Sequence, residues 1–161
     1  MRPILEYASP VWNPHLQRDI DLIERVQRSF TKKIPGKFNL TYPQRKAELN
    51  LQSLEERRVI ADLAYLHKMI YGFVKMEFSH FFRIVGVGDG ISTRGHSMKL
   101  QPVNPSGRDF RYIDCHKFFF TNRVVRTWNR LPAEIVQETS TATFKTKITE
   151  YLLINGTEPE G

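Results

Sequence analysis

The chain has 161 residues, 40% of them hydrophobic and 25% charged, with a formal net charge of +7. That length suits one compact domain or one with a small appendage, and that balance excludes a disordered tail. The positive charge favours polyanionic partners, nucleic acid first, and the single cysteine, Cys115, excludes an internal disulfide and a cysteine-based zinc site.

Residues 1–12 are aromatic and punctuated by Pro3 and Pro10, and read as the tail of an element that begins upstream. They carry Glu6 and no long apolar run, which argues against a signal peptide. Asn13-Pro14 predicts a helix start, with Asn as N-cap and Pro at the first helical position. Leu16, Ile20, Ile23, Phe30 and Ile34 then recur at helical spacing with Val26 between them, and Pro35-Gly36 ends the run. Thr41 and Gln44 form a capping box that opens a short helix to Leu49. Ser53 and Glu56 form a second one, opening a helix with Val59, Leu63, Leu66 and Ile70 on one face and Gly72 as its stop.

Phe78 to Val85 predicts a turn of helix, and Gly86 to Gly90 a glycine-rich connector. Alternation around Met98 and Leu100, and again around Phe110 and Tyr112, predicts two short strands within about residues 94–114. Lys117 to Leu131 returns to helical spacing through Phe120, Val124, Trp128 and Leu131. Pro132 starts a further turn, and Thr141 caps a last helix bearing Phe144, Ile148 and Leu152. The expected fold class is mainly α, with a small two-stranded β element. The expected organisation is a helical region over 1–75, a loop-rich connector over 76–115, C-terminal helices over 116–155 and a disordered tail over 156–161.

Charge is concentrated in residues 25–46, which hold Arg25, Arg28, Lys32, Lys33, Lys37, Arg45 and Lys46 and no acid. Arg25, Arg28 and Lys32 stand three and four apart, so they share a helix face. Their order behind Asp19, Asp21 and Glu24 complements the helix dipole. The same cations also suit a phosphate-binding surface with salt-dependent, sequence-independent affinity. A second basic segment, Lys117, Arg123, Arg126 and Arg130, is interleaved with aromatics. There Phe120 and Trp128 are core candidates, while Arg123 and Arg126 are candidates for contact.

Catalytic constellations are missing. His15, His67, His80, His96 and His116 are scattered without metal-ligand spacing. The glycine-rich stretch lacks the Lys-Ser or Lys-Thr of a phosphate loop. No two aspartates are adjacent anywhere in the chain. No apolar run reaches transmembrane length, so no membrane partner and a nuclear or cytoplasmic setting are expected.

Arg2-Pro3-Ile4-Leu5-Glu6-Tyr7-Ala8-Ser9-Pro10-Val11-Trp12-Asn13-Pro14 is similar to a segment just downstream of the palm in jockey-like non-LTR retrotransposon (LINE) reverse transcriptases. Asp21 to Arg28, Leu49 to Arg58, Thr93 to His96, Phe119 to Pro132 and Ser140 to Leu152 resemble that family's further signatures, in order. The resemblance covers nearly the whole chain. It implies a helical, thumb-like bundle that grips a template–primer duplex through its backbone. It also implies RNA or an RNA–DNA hybrid as partner, with the missing palm domain as a second partner.

The parent RNA-directed DNA polymerase would need Mg2+, held by palm aspartates. This chain has no Asp-Asp motif, so it is expected to be a truncated fragment, inactive alone, with no cofactor of its own. On this reading Arg25, Arg28, Lys32, Lys33, Lys37, Arg123 and Arg126 contact the nucleic-acid backbone. The alternative is a protein-interaction or purely structural remnant, which predicts self-association through bare apolar surface.

Overall fold

The computed structural model describes residues 2–85, 95–103 and 118–156. In chain order the elements are α1 (Arg2–Glu6), α2 (Ser9–Trp12), α3 (Gln17–Lys32), α4 (Tyr42–Glu48), α5 (Leu54–Ile70), a 3-10 turn (Phe78–His80), β1 (Phe82–Ile84), β2 (Leu100–Pro102), α6 (Phe120–Trp128), α7 (Ala133–Val136) and α8 (Thr141–Asn155). The described residues are therefore mainly α with one two-stranded antiparallel sheet, as the sequence predicts. Internal packing divides the chain into two units, Met1–Val59 and Ile60–Gly161, with the division inside α5.

Local signals set most helix ends. At α4 the Thr41 side chain and Gln44 close the predicted capping box, with the Thr41 N–H donating to Gln44 Oε1 at 2.8 Å. At α5 the Glu56 N–H donates to Ser53 Oγ at 3.1 Å and the Ser53 N–H to Glu56 Oε2 at 2.7 Å. Each reciprocal pair satisfies two orphan donors of a first turn. Helix α5 stops where Gly72 takes a φ of 72°, and Phe73 N–H bonds back to Lys68 O at 2.8 Å. Only glycine adopts that left-handed turn without strain.

Two helix starts differ from expectation. Helix α3 begins at Gln17 after Leu16, not at Asn13-Pro14. Asn13 instead closes α2, its N–H donating to Ser9 O at 3.0 Å, while its Oδ1 accepts from Arg58 Nε at 2.9 Å. Helix α8 is capped by Ser140 rather than Thr141, with Ser140 Oγ accepting from the Thr143 N–H.

In the first unit the buried side chains are largely polar: Ser9, Glu24, Thr31, Arg45, Arg57 and Arg58 are buried, beside the apolar Leu54. Bridges between helices hold Glu24, Thr31, Arg45 and Arg57. Arg57 Nη2 reaches Gln27 Oε1 at 2.9 Å and Glu6 Oε1 at 2.8 Å, and Gln27 Nε2 donates to Gln52 O at 2.9 Å. Charges removed from water persist only when partnered in this way.

The second unit has an ordinary apolar core. Leu63, Leu66, Phe82, Trp128, Val136 and Phe144 are almost wholly buried. Each such side chain contributes about 1.5–3 kcal/mol by leaving water. Strand β1 pairs antiparallel with β2 in the register Phe82↔Pro102, Arg83↔Gln101 and Ile84↔Leu100. The sheet lies partly upstream of the expected position: β2 falls within 94–114, but β1 occupies residues predicted as a helical turn. The expected strand around Phe110 and Tyr112 lies outside the described residues.

Helix α6 holds the sheet by hydrogen bonds as well as packing. Trp128 Nε1 donates to Met98 O at 2.9 Å. The Asn129 carboxamide brackets Leu100, accepting its N–H at 2.8 Å and donating to its carbonyl at 2.9 Å. A side-chain amide there supplies both bonds that a further strand would have made to β2.

Candidate nucleic-acid interface

Helix α3 presents its cations along one ridge. At about 100° per residue, Arg25, Arg28 and Lys32 fall within an arc of about 60°. All three are exposed, as is Lys33 to one side of them. None of the four makes an ion pair among the described residues.

Two aromatic rings steady this ridge. The Arg28 guanidinium lies 5.1 Å from the Tyr42 ring centre, and Lys32 Nζ lies 5.0 Å from that of Phe38. Each contact contributes about 0.5–1 kcal/mol at an exposed site and reduces the freedom of a long side chain. The Tyr42 ring also has Arg45 at 5.7 Å and Lys46 at 5.8 Å.

Tyr42 is positioned by the capping box before it, at the first residue of α4. Its hydroxyl donates to Glu24 Oε1 and accepts from Gln27 Nε2 at 3.0 Å. Burial, then the hydrogen bond given to the Glu24 carboxylate, pushes the phenol up to about 12. The phenol therefore stays protonated, as a donor to Glu24, at any neutral pH. Glu24 Oε2 in turn accepts the Leu54 N–H at 2.8 Å.

The other predicted contact residues are placed differently. Lys37 is half-buried and salt-bridged to Glu48. Arg45, part of the basic run, is buried: its guanidinium donates to Leu40 O and to Thr31 Oγ1 at 3.2 Å. Its charge is committed to the fold and does not add to the surface.

In the second unit, Arg126 is exposed on α6. Arg123 is turned inward, with Nε 2.8 Å from Asp62 Oδ2, Nη2 3.2 Å from Asp62 Oδ1 and Nη1 donating to Phe118 O at 3.1 Å. That bidentate pair fixes α6 against α5. Phe120 and Trp128 are buried, as expected of core aromatics. The structure thus gathers Arg25, Arg28 and Lys32 on one helix, with Lys33 directly after it, and gives Lys37 and Arg123 to internal ion pairs.

Sequence reasoning missed Tyr42 and Glu24. The available signal was an aromatic directly after a capping residue and inside a cation-rich run, where a ring supports neighbouring charges.

The apolar positions of α3 also lie otherwise than a packed stripe would. Leu16, Val26 and Phe30 are exposed, together with Leu22, while Glu24 and Thr31 take the buried side. Leu22, Arg25, Val26, Ser29, Phe30 and Lys33 line an open groove on this helix.

Among the described residues, no group of three or more His, Cys, Asp or Glu side chains could hold a metal ion. None of the described helices is long and apolar enough to cross a membrane.

No protein-family model matches the chain, and no solved structure matches it. It is similar to an uncharacterized protein of Caenorhabditis elegans, at 27% identity over 75 residues, covering 45% of this chain and 38% of that protein. The chain thus spans well under half the length of the curated relative it matches.

Proposed function

We propose that this chain is a thumb-like fragment related to jockey-like non-LTR retrotransposon reverse transcriptases. Its working chemistry is sequence-independent binding of a nucleic-acid backbone, without catalysis of its own. One observation carries this reading. Arg25, Arg28 and Lys32 on α3 and Lys33 at its end lie exposed without ion-pair partners among the described residues, and Tyr42 and Phe38 support two of them. Cations steadied by rings and unneutralised by acids suit phosphate oxygens at regular spacing. An A-form RNA–DNA hybrid is the expected ligand, because shape and phosphates dominate its recognition.

The test is fluorescence anisotropy of a labelled RNA–DNA hybrid across a salt series. About four phosphate contacts predict a logarithmic salt slope of roughly −3 to −4. Reversing charge at all four positions (R25E, R28E, K32E, K33E) should abolish binding while the circular dichroism of the helices persists. Unchanged binding in that variant would overturn the assignment. Primer extension with Mg2+ should give no product, and templated synthesis would overturn the non-catalytic reading.

A further inference from the structure

The exposed apolar stripe of α3 has a pattern that goes beyond the nucleic-acid reading and does not depend on it. Leu22 is 57% exposed, Val26 36% and Phe30 55%, so about two turns of helix present bare hydrocarbon to water. Asp19 stands one turn before this stripe and Lys33 one turn after it. The order Asp19, Leu22, Val26, Phe30, Lys33 is symmetric about Val26 in spacing and complementary in charge. Leu22 and Phe30 are each four residues from the centre, and Asp19 and Lys33 are each seven.

We infer that α3 pairs antiparallel with α3 of a second copy of this chain, about a two-fold axis through Val26. In such an isologous contact, residue i of one copy meets the residue of the other that lies equally far beyond the centre. Leu22 then packs beside the second copy's Phe30, and Phe30 beside its Leu22. Val26 meets its own counterpart on the axis. Asp19 faces Lys33 at both ends of the seam. These five positions fall within an arc of about 80° on the helix, which is the width of a seam between two helices. A parallel pairing would instead set Lys33 against Lys33 and Asp19 against Asp19, so the end charges select the antiparallel one.

Arg25 and Lys32 lie to one side of this seam. The two-fold rotation brings both copies' Arg25 and Lys32 to the same edge, where they remain in solvent. Pairing therefore leaves Arg25, Arg28 and Lys32 of each copy open, while Lys33 is taken up at the seam by Asp19 of the second copy. The stripe is short against the roughly 800 Å² per partner of tight complexes. The pair is expected to form in the micromolar range and to exchange with monomer.

The test is sedimentation equilibrium of the full chain, freed of nucleic acid by nuclease and high salt. The average mass should rise from 18.9 kDa to twice that value with concentration. V26D places two carboxylates together on the axis and should abolish the dimer. D19K and K33D should each weaken it by roughly tenfold, and the double swap D19K/K33D should restore it.

A second measurement guards against misfolded variants. In a Cys115→Ser background, Val26→Cys should oxidise to a covalent dimer. Asp19→Cys alone should not, because its two copies would sit about 20 Å apart along the seam. A monomer at all concentrations up to about millimolar, a dimer indifferent to V26D, or a double swap that fails to restore association would each overturn the pairing. V26D keeps all four cations, so loss of the dimer and loss of nucleic-acid binding are read separately.

Discussion

The carboxylate of Glu24 accepts the backbone N–H of Leu54 at 2.8 Å, so a side chain in α3 closes the first turn of α5 thirty residues later. Its second oxygen takes the Tyr42 hydroxyl. One buried acid thus joins three helices, and its removal leaves two donors without an acceptor. Glu24→Ala should cost about 1–3 kcal/mol, seen as a lower urea midpoint. Glu24→Gln keeps one acceptor and should cost less, while lowering the Tyr42 phenol from about 12, as read by ultraviolet titration. The sign is that of a raised folded value. The Tyr42 contribution is complete below pH 10.0 and is lost as pH rises through about 12.

Arg45 and Arg28 both lie against the Tyr42 ring, yet they should behave differently on substitution. Arg45 is buried and ties Leu40 O and Thr31 Oγ1 to α4. Arg45→Ala should therefore destabilise by about 1–3 kcal/mol. Arg28 is exposed and loses one ring contact, so Arg28→Ala should cost about 0.5–1 kcal/mol. The ranking reverses for nucleic acid: Arg28→Ala should shorten the salt slope by about one, and Arg45→Ala should not. Chemical denaturation and anisotropy on the same two variants measure both quantities.

Thr41–Gln44 and Ser53–Glu56 were legible in the sequence because a capping box is complete within four residues. Asn13-Pro14 carries an equally local signal, but Asn13 serves the end of α2 and the Arg58 guanidinium instead. Strand β1 could not be read at 82–84, because its partner lies sixteen or more residues away, beyond a glycine-rich stretch. The cation ridge followed from helical spacing alone. Which cations stay free did not, since Lys37 and Arg123 are withdrawn by Glu48 and Asp62, and periodicity says nothing about such pairs. The polar interior of the first unit was hidden for the same reason: Glu24 and Arg57 look like surface residues until their partners are placed.

Asp62 and Arg123 form a bidentate pair, with Asp62 buried and the Arg123 side chain 12% exposed. Breaking such a pair strands one charge away from water, which costs about 3–5 kcal/mol. Asp62→Ala and Arg123→Ala should each lower the denaturation midpoint strongly. Asp62→Leu combined with Arg123→Leu should recover much of the loss, because no charge is then left buried. A double-mutant cycle in urea measures the coupling, and purely additive losses would show that the pair contributes nothing as a pair.

His67 should make stability depend on pH in the mildly acidic range. Its ring is fully buried and stacked on Phe144 at 4.4 Å. Nε2 lies 2.7 Å from Glu138 O and Nδ1 lies 3.3 Å from Thr141 Oγ1. A neutral ring with its proton on Nε2 satisfies both contacts, donating to the carbonyl and accepting from the hydroxyl. Burial pulls the imidazole below its ordinary 6.5, partly opposed by the hydrogen bond to Glu138 and by that residue's charge. Burial also lowers His96, whose Nε2 sits 3.1 Å from Trp128 O, with Lys99 acting in the same direction. A depressed folded value means that the unfolded chain takes up protons first. The contribution of these two rings is therefore full above pH 6.5 and falls as pH drops through their lower folded values. Glu138 is held below its usual value by Lys147 and titrates in a separate window, below 4.5. The urea midpoint should be lower at about pH 5 than at about pH 7.5. His67→Phe lowers stability at every pH by leaving Glu138 O without its donor, so the informative quantity is the slope. The difference between the two pH values should shrink in that variant, and an unchanged difference would remove His67 from the account.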